Sequence, residues 1–214
     1  MSREINYQAI ILKKQPFNEA DEIITFFSKE AGKVRGLAKS VKLSKSKLQN
    51  SLQALFLVNL GLVGGGLLPK IISAEPKKTF FKLRHNLNLI KYAFYASEVV
   101  LKFTPDTQKN EKLFELLLNF LDHLENSGLE LEFALAKFKA EFLTATGFEV
   151  SFHQDLKNQE RKLKQCEVLE KRGFGELENA DLGDIGPLQK FLSDFIVYHL
   201  EREVKSESFL KSVI

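Results

Sequence analysis

Residues 22–39 read Glu22-Ile23-Ile24-Thr25-Phe26-Phe27-Ser28-Lys29-Glu30-Ala31-Gly32-Lys33-Val34-Arg35-Gly36-Leu37-Ala38-Lys39. A β-branched and aromatic run from Glu22 to Phe27, a turn at Ala31-Gly32-Lys33 and a second run from Val34 to Lys39 predict a β-hairpin. In the second run Lys33 and Arg35 alternate with Val34 and Leu37, as in a half-buried strand that shows one face to water. Beyond it, Ser40 to Ser46 mixes serines with lysines and loses the apolar period, so it reads as an exposed loop. From Lys33 to Lys47 the chain carries Lys33, Arg35, Lys39, Lys42, Lys45 and Lys47 and no acid.

Working outward from the hairpin, Tyr7 to Leu12 is a strand-like run closed by Lys13-Lys14 and the turn former Pro16. Phe17 to Asp21 reads as a loop. Leu52 to Val63 predicts a long apolar strand bent at Gly61. Gly64-Gly65-Gly66 makes a tight turn, and Leu67 to Ala74 returns as a fifth strand that Pro69 assigns to an edge. Five short strands with hairpin punctuation predict a small barrel, and an OB-fold has this strand count. No helices alternate with these strands, so a Rossmann-like sheet does not fit.

Near Glu75-Pro76-Lys77-Lys78 the pattern turns helical. Apolar residues at three-and-four spacing predict amphipathic helices over 80–103, 111–124, 130–145 and 187–204. Asp106, Ser127 and Gly128 punctuate the gaps. Residues 149–182 are charged and lack a sustained period, so they read as an irregular insertion with one short helix around Asp155 to Leu169. The expected architecture is α+β: an N-terminal OB-fold barrel over 1–78, then an all-α domain over 79–214.

Charge is unevenly distributed. Through residue 80 thirteen bases face six acids, a net +7, so the remainder carries −4 of the total +3. A basic first part joined to an acidic remainder points to a polyanion partner for the first part. The lone Cys166 excludes an internal disulfide. With His85, His123, His153 and His199 it offers no pair at zinc-ligand spacing, so no metal is expected. The start of the chain lacks the apolar core of a signal peptide, and the apolar stretch 52–68 is broken by Asn59 and glycines. A soluble, cytoplasmic protein is expected.

Catalytic constellations are missing too. Gly61 to Gly66 lacks the Lys-Ser/Thr ending of a phosphate loop. Glu19, Asp21 and Glu22 read as turn formers or partners of nearby bases. With no matched acid, base or nucleophile, no enzyme and no cofactor is expected. Lysines with aromatic residues are what single-strand binding uses, and Tyr7, Phe17 and Phe56 are the candidate stackers, with the barrel core as the competing place for each. The basic stretch itself fits two readings, a phosphate-binding surface or a solvated loop.

Several short motifs, in order, resemble the bacterial recombination mediator family RecO. They are Tyr7 to Leu12; Asn18-Glu19-Ala20-Asp21-Glu22-Ile23; Gly32-Lys33 with Leu37-Ala38-Lys39; Ser46-Lys47 through Leu52-Gln53; and Ala74-Glu75. The similarity continues in Lys112 to Leu117, Phe142-Leu143 with Gly147, and Tyr198-His199-Leu200 with Lys205-Ser206 and Phe209-Leu210. The resemblance implies an OB-fold followed by a helical domain. It also implies binding of single- and double-stranded DNA, strand annealing, and work with RecR to load RecA onto strands covered by single-strand DNA-binding protein, a role at the nucleoid. DNA contacts are then expected from Lys33, Arg35 and Lys39, with Lys42, Lys45 and Lys47 as auxiliaries.

Two departures stand out. The family's four-cysteine zinc module is reduced here to Cys166 within 149–182, so the metal should be absent. The family's Arg-Arg-Phe-Glu is Ala136-Lys137-Phe138-Lys139, which passes a role in holding the acidic tail of single-strand DNA-binding protein to Lys137, with Lys139. Two other functions stay open on the residues themselves: an adaptor whose barrel binds RecR rather than DNA, and an RNA-binding OB protein.

Overall fold

The computed structural model of the chain describes residues 4–126, 130–148, 154–157, 159–179, 182–200 and 204–211. Five strands, β1 (Ile5–Pro16), β2 (Glu22–Ser28), β3 (Gly32–Ala38), β4 (Leu57–Val63) and β5 (Lys70–Lys78), close into a barrel in the order β1-β2-β3-β5-β4. This is the OB-fold expected from the sequence. The predicted hairpin is present, with Ile24 opposite Gly36 and Phe26 opposite Val34. Alternate residues point inward and form one core: Ala9 and Ile11, Ile24 and Phe26, Val34 and Ala38, Val58, Leu60 and Leu62, and Ile71. That period of two is why β-branched and aromatic residues occupy these positions.

The outer face is also buried around β1. Leu57, Ile10 and Phe27 are cross-strand neighbours in one row, and all three are buried. The compact unit built on the barrel comprises residues 1–80 and 100–114. Its second segment runs against β3, where Thr107 donates its amide to the Lys33 carbonyl (2.8 Å). Gly32 is fixed by this approach: its φ is +70°, and a Cβ there would collide with the carbonyl oxygen of Gln108.

Three strand expectations need correction. β1 does not stop at Lys13-Lys14 but continues to Pro16, with a register shift between Ile11 and Lys13. The run from Leu52 to Phe56 is not strand. Leu52 and Phe56 enter the barrel core from a turn in which the Leu52 amide bonds to the Leu48 carbonyl and the Phe56 amide to the Gln53 carbonyl. An apolar run marks burial, and burial is satisfied equally by strand or plug. The edge assignment from Pro69 also fails. β5 starts after it, at Lys70, and lies between β3 and β4 in a closed barrel, where the Pro69 carbonyl accepts the Leu37 amide (2.8 Å).

The second compact unit comprises 81–99 and 115–214. Among the described residues the helices are α1 (Phe81–Arg84), α2 (Leu87–Phe103), α3 (Glu111–Asn126), α4 (Leu131–Ala145), α5 (Glu160–Lys171), α6 (Gly186–Leu200) and α7 (Lys205–Lys211), with a 3-10 helix at Phe174–Asn179. All four long helices expected from the sequence are present; the first is split at residues 85–86, and the last is described to Leu200. α4 is not amphipathic as expected. Every residue from Ala134 to Ala140 is buried, because α5, α6 and the 3-10 helix surround it.

Carboxylates cap short helices: Glu125 accepts the amides of Lys82 and Leu83, and Glu98 those of Lys205 and Ser206. Within the expected insertion, α5 and the 3-10 helix are regular and packed on α4. Cys166 lies at the buried face of α5, and burial, then Glu170 and Glu167, push its thiol up to about 12. Ser127, Gly128, His153 and residues 201–203 lie outside the described residues. Among the described residues no helix is long and apolar enough to cross a membrane, and no three His, Cys, Asp or Glu gather as a metal cluster.

Candidate nucleic-acid interface

The six cations of the basic stretch divide by where the fold sends their side chains. On β3, Val34, Gly36 and Ala38 are buried, so Lys33 and Arg35 project to the outside. Lys33 is largely enclosed: its side chain is 13% exposed. Its ammonium donates to the carbonyls of Leu101 (2.9 Å) and Thr104, and pairs with Asp106 (3.3 Å). These carbonyls end α2, where a cation satisfies orphan acceptors and meets the negative end of the helix dipole. Arg35 is about half exposed and pairs with the other oxygen of Asp106 (3.2 Å). Both β3 cations therefore share one carboxylate.

The loop cations are placed differently. After Ala38 the chain makes successive turns, with Leu43 bonding back to Ser40, Ser46 to Leu43 and Gln49 to Ser46. The loop is anchored at Val41, whose side chain enters the barrel core. It is also tied to the β1–β2 loop: Ser40 donates its amide to Asp21 Oδ1 (2.7 Å), the Lys42 amide bonds to the Ala20 carbonyl (3.0 Å), and the Lys42 ammonium to the Asn18 carbonyl (3.2 Å). The Ser40 amide, then the Asn18 amide, and more weakly Lys39 and Lys42 hold the Asp21 carboxyl below its ordinary range. Lys39, Lys42, Lys45 and Lys47 are all exposed. Among the described residues Lys39, Lys45 and Lys47 make no hydrogen bond or ion pair.

The proposed stackers separate in the same way. Phe56 is in the barrel core, and Tyr7 packs against it with its ring 6.1 Å from Phe26. Phe17, in the loop tied to the lysines, is 50% exposed. Two further exposed apolar side chains escaped the sequence reading, Leu43 at 54% and Leu67 at 87%. Their signal was an apolar residue isolated among serines and lysines, and another at the end of a glycine run. Asp106 escaped as well, because its partners lie on β3, far off in sequence.

The two lysines of α4 also part company. Both are 3% exposed. Lys137 donates to the Leu169 carbonyl (2.7 Å), pairs with Glu141 and lies over the Phe174 ring (5.4 Å). It lines a cavity of about 590 Å³ with Lys171 and Arg172, but also with Asp122, Glu141 and Glu170. Two residues further along the helix, Lys139 faces the other way. It donates to Gln189 (2.8 Å) and Ser193 (2.7 Å) on α6 and lies over the Tyr95 ring.

Comparison with known proteins places this geometry in context. Residues 1–80 match the family described as Recombination protein O N terminal, and residues 84–165 match Recombination protein O C terminal. Similar relatives are named DNA repair protein RecO. One from Dehalococcoides mccartyi (strain CBDB1) is 34% identical over 142 residues, covering 66% of this chain and 56% of that protein. One from Geobacter metallireducens is 32% identical over 67% of this chain and 59% of its own. One from Caldicellulosiruptor saccharolyticus is 32% identical over 161 residues, 75% of this chain and 66% of its own. The matched part of the chain thus spans little more than half the length of the first two relatives.

Proposed function

Because the chain belongs to the recombination protein O family, we propose that it is a non-catalytic DNA-binding protein of recombinational repair, acting at the nucleoid. The observation that carries this reading is the exposed set Lys39, Lys42, Lys45 and Lys47, on a loop anchored in the barrel and tied to the loop of Phe17. Cations held on a folded surface neutralise phosphates and release condensed counterions, which lowers the repulsion between two strands. Annealing then draws its energy from base pairing and stacking, while the protein supplies proximity and charge. In this reading Lys33 is a helix cap, Arg35 a secondary contact shared with Asp106, and the loop lysines the principal phosphate partners of single- and double-stranded DNA.

The proposal extends to the rest of the repair machinery. The acidic tail of single-strand DNA-binding protein would enter the cavity of Lys137, Lys171 and Arg172. Lys139, held by Gln189 and Ser193, drops out of that site. With RecR the protein would help load RecA onto the coated strand. The test is annealing of complementary oligonucleotides coated with the cognate single-strand DNA-binding protein, with its tail intact or deleted. Tail-dependent annealing is expected. Annealing without tail dependence would remove the role of Lys137, and no annealing by the folded protein would favour an adaptor whose barrel binds RecR.

A further inference from the structure

The cross-strand register brings three loops together. Pro16, Glu22 and Ala38 are successive partners across β1, β2 and β3, while Leu37, Lys70 and Val63 are successive partners across β3, β5 and β4. The loops 17–21, 39–56 and 64–69 therefore leave the sheet from adjacent rows. Each carries a large apolar side chain in solvent: Phe17, Leu43 and Leu67. Single exposed apolar residues are ordinary on a protein surface; what distinguishes these three is that the register sends their loops out from the same end of the barrel. Here they are interleaved with Lys39, Lys45 and Lys47, which make no hydrogen bond or ion pair among the described residues.

A duplex offers this surface phosphates but keeps its base faces stacked on one another. A single strand offers the same phosphates together with free base faces, on which an aromatic ring stacks and aliphatic tips pack. We infer that Phe17, supported by Leu43 and Leu67, is a base-contacting residue that makes this end of the barrel prefer single-stranded over double-stranded DNA. The inference rests on the DNA-binding reading above and adds its specificity. The two interactions separate in their salt dependence: lysine–phosphate contacts set the slope of affinity against salt, whereas an apolar stack changes affinity and leaves the slope alone.

The experiment uses the full chain with a homothymidine oligonucleotide and a duplex of equal length, read by fluorescence anisotropy at several salt concentrations. Phe17→Ala is expected to weaken single-strand binding about tenfold, the scale of one lost stack, with an unchanged salt slope and duplex affinity within about twofold. The chain has no tryptophan, so Phe17→Trp installs a single reporter at an exposed position. Its fluorescence is expected to be quenched by the single strand and not by the duplex, at wild-type affinity or better. Equal losses on both DNAs for Phe17→Ala, no loss on either, or equal quenching by both would overturn the inference while leaving DNA binding in place. A wild-type protein that binds neither DNA would overturn the DNA-binding reading itself.

Discussion

On β3 the ammonium of Lys33 is enclosed by two carbonyls at the end of α2 and by Asp106, whereas in the loop that follows the ammoniums of Lys45 and Lys47 extend into water with no partner among the described residues. The first environment holds a structure together, and the second leaves charge available. Both come from one basic stretch of sequence. A run of cations is not a binding site until the fold has shown which of them it has already used. Arg35 stands between the two groups, half exposed but engaged with Asp106.

Charge reversal in the loop should have the largest effect. Lys39→Glu, Lys45→Glu and Lys47→Glu together should weaken oligonucleotide binding by about a hundredfold or more at low salt, and flatten the salt dependence by roughly one unit of slope per lost contact. Anisotropy titrations at several salt concentrations measure both. Next, Lys33→Met should lower stability by about 1–3 kcal/mol, because it strips two carbonyls of a charged donor in a nearly enclosed position. Urea unfolding measures this, and DNA affinity of the folded variant should change less than about twofold.

A smaller effect sharpens the position of Arg35. Asp106→Asn removes the carboxylate that occupies it and leaves Lys33 its two carbonyls, so DNA affinity should rise about threefold, in keeping with an exposed pair worth less than 1 kcal/mol. A fall in affinity would mean that Arg35 needs Asp106 to orient it. The smallest effect concerns the anchor of the loop. The carboxyl of Asp21 is lowered in the folded chain, so its contribution is complete above the ordinary aspartate pKa of about 4 and is lost as pH falls through the lower folded value. The amide resonance of Ser40 should therefore hold its position from neutral pH down to about 4 and move below it, and Asp21→Asn should shift it at every pH.

Much of the barrel was legible because its signals are local. The alternation over 22–39 specifies a hairpin, and Gly32 marks a turn whose φ is positive. Legibility failed where an apolar run had two solutions: Leu52 and Phe56 enter the core from a turn, not a strand. It failed again at α4, where Lys137 and Lys139 are charged yet buried, by elements packed on opposite sides of the helix. Which cations of the basic stretch stay exposed was half legible for the same reason. The loop lysines follow from a charge pattern that lost its apolar period, but Lys33 obeys the same alternation as Arg35 and differs only through Leu101 and Thr104, about seventy residues away. Long-range partners of that kind are set by tertiary packing, which no local pattern encodes.

The most direct test labels surface lysines with a small acylating reagent, with and without a saturating single-stranded oligonucleotide, and reads each site by mass spectrometry. Lys39, Lys42, Lys45 and Lys47 are expected to react in the free protein and to be protected by DNA, while Lys33 stays unreactive in both states. Reaction of Lys33 in the free protein, with its protection by DNA while the loop lysines remain reactive, would contradict this expectation.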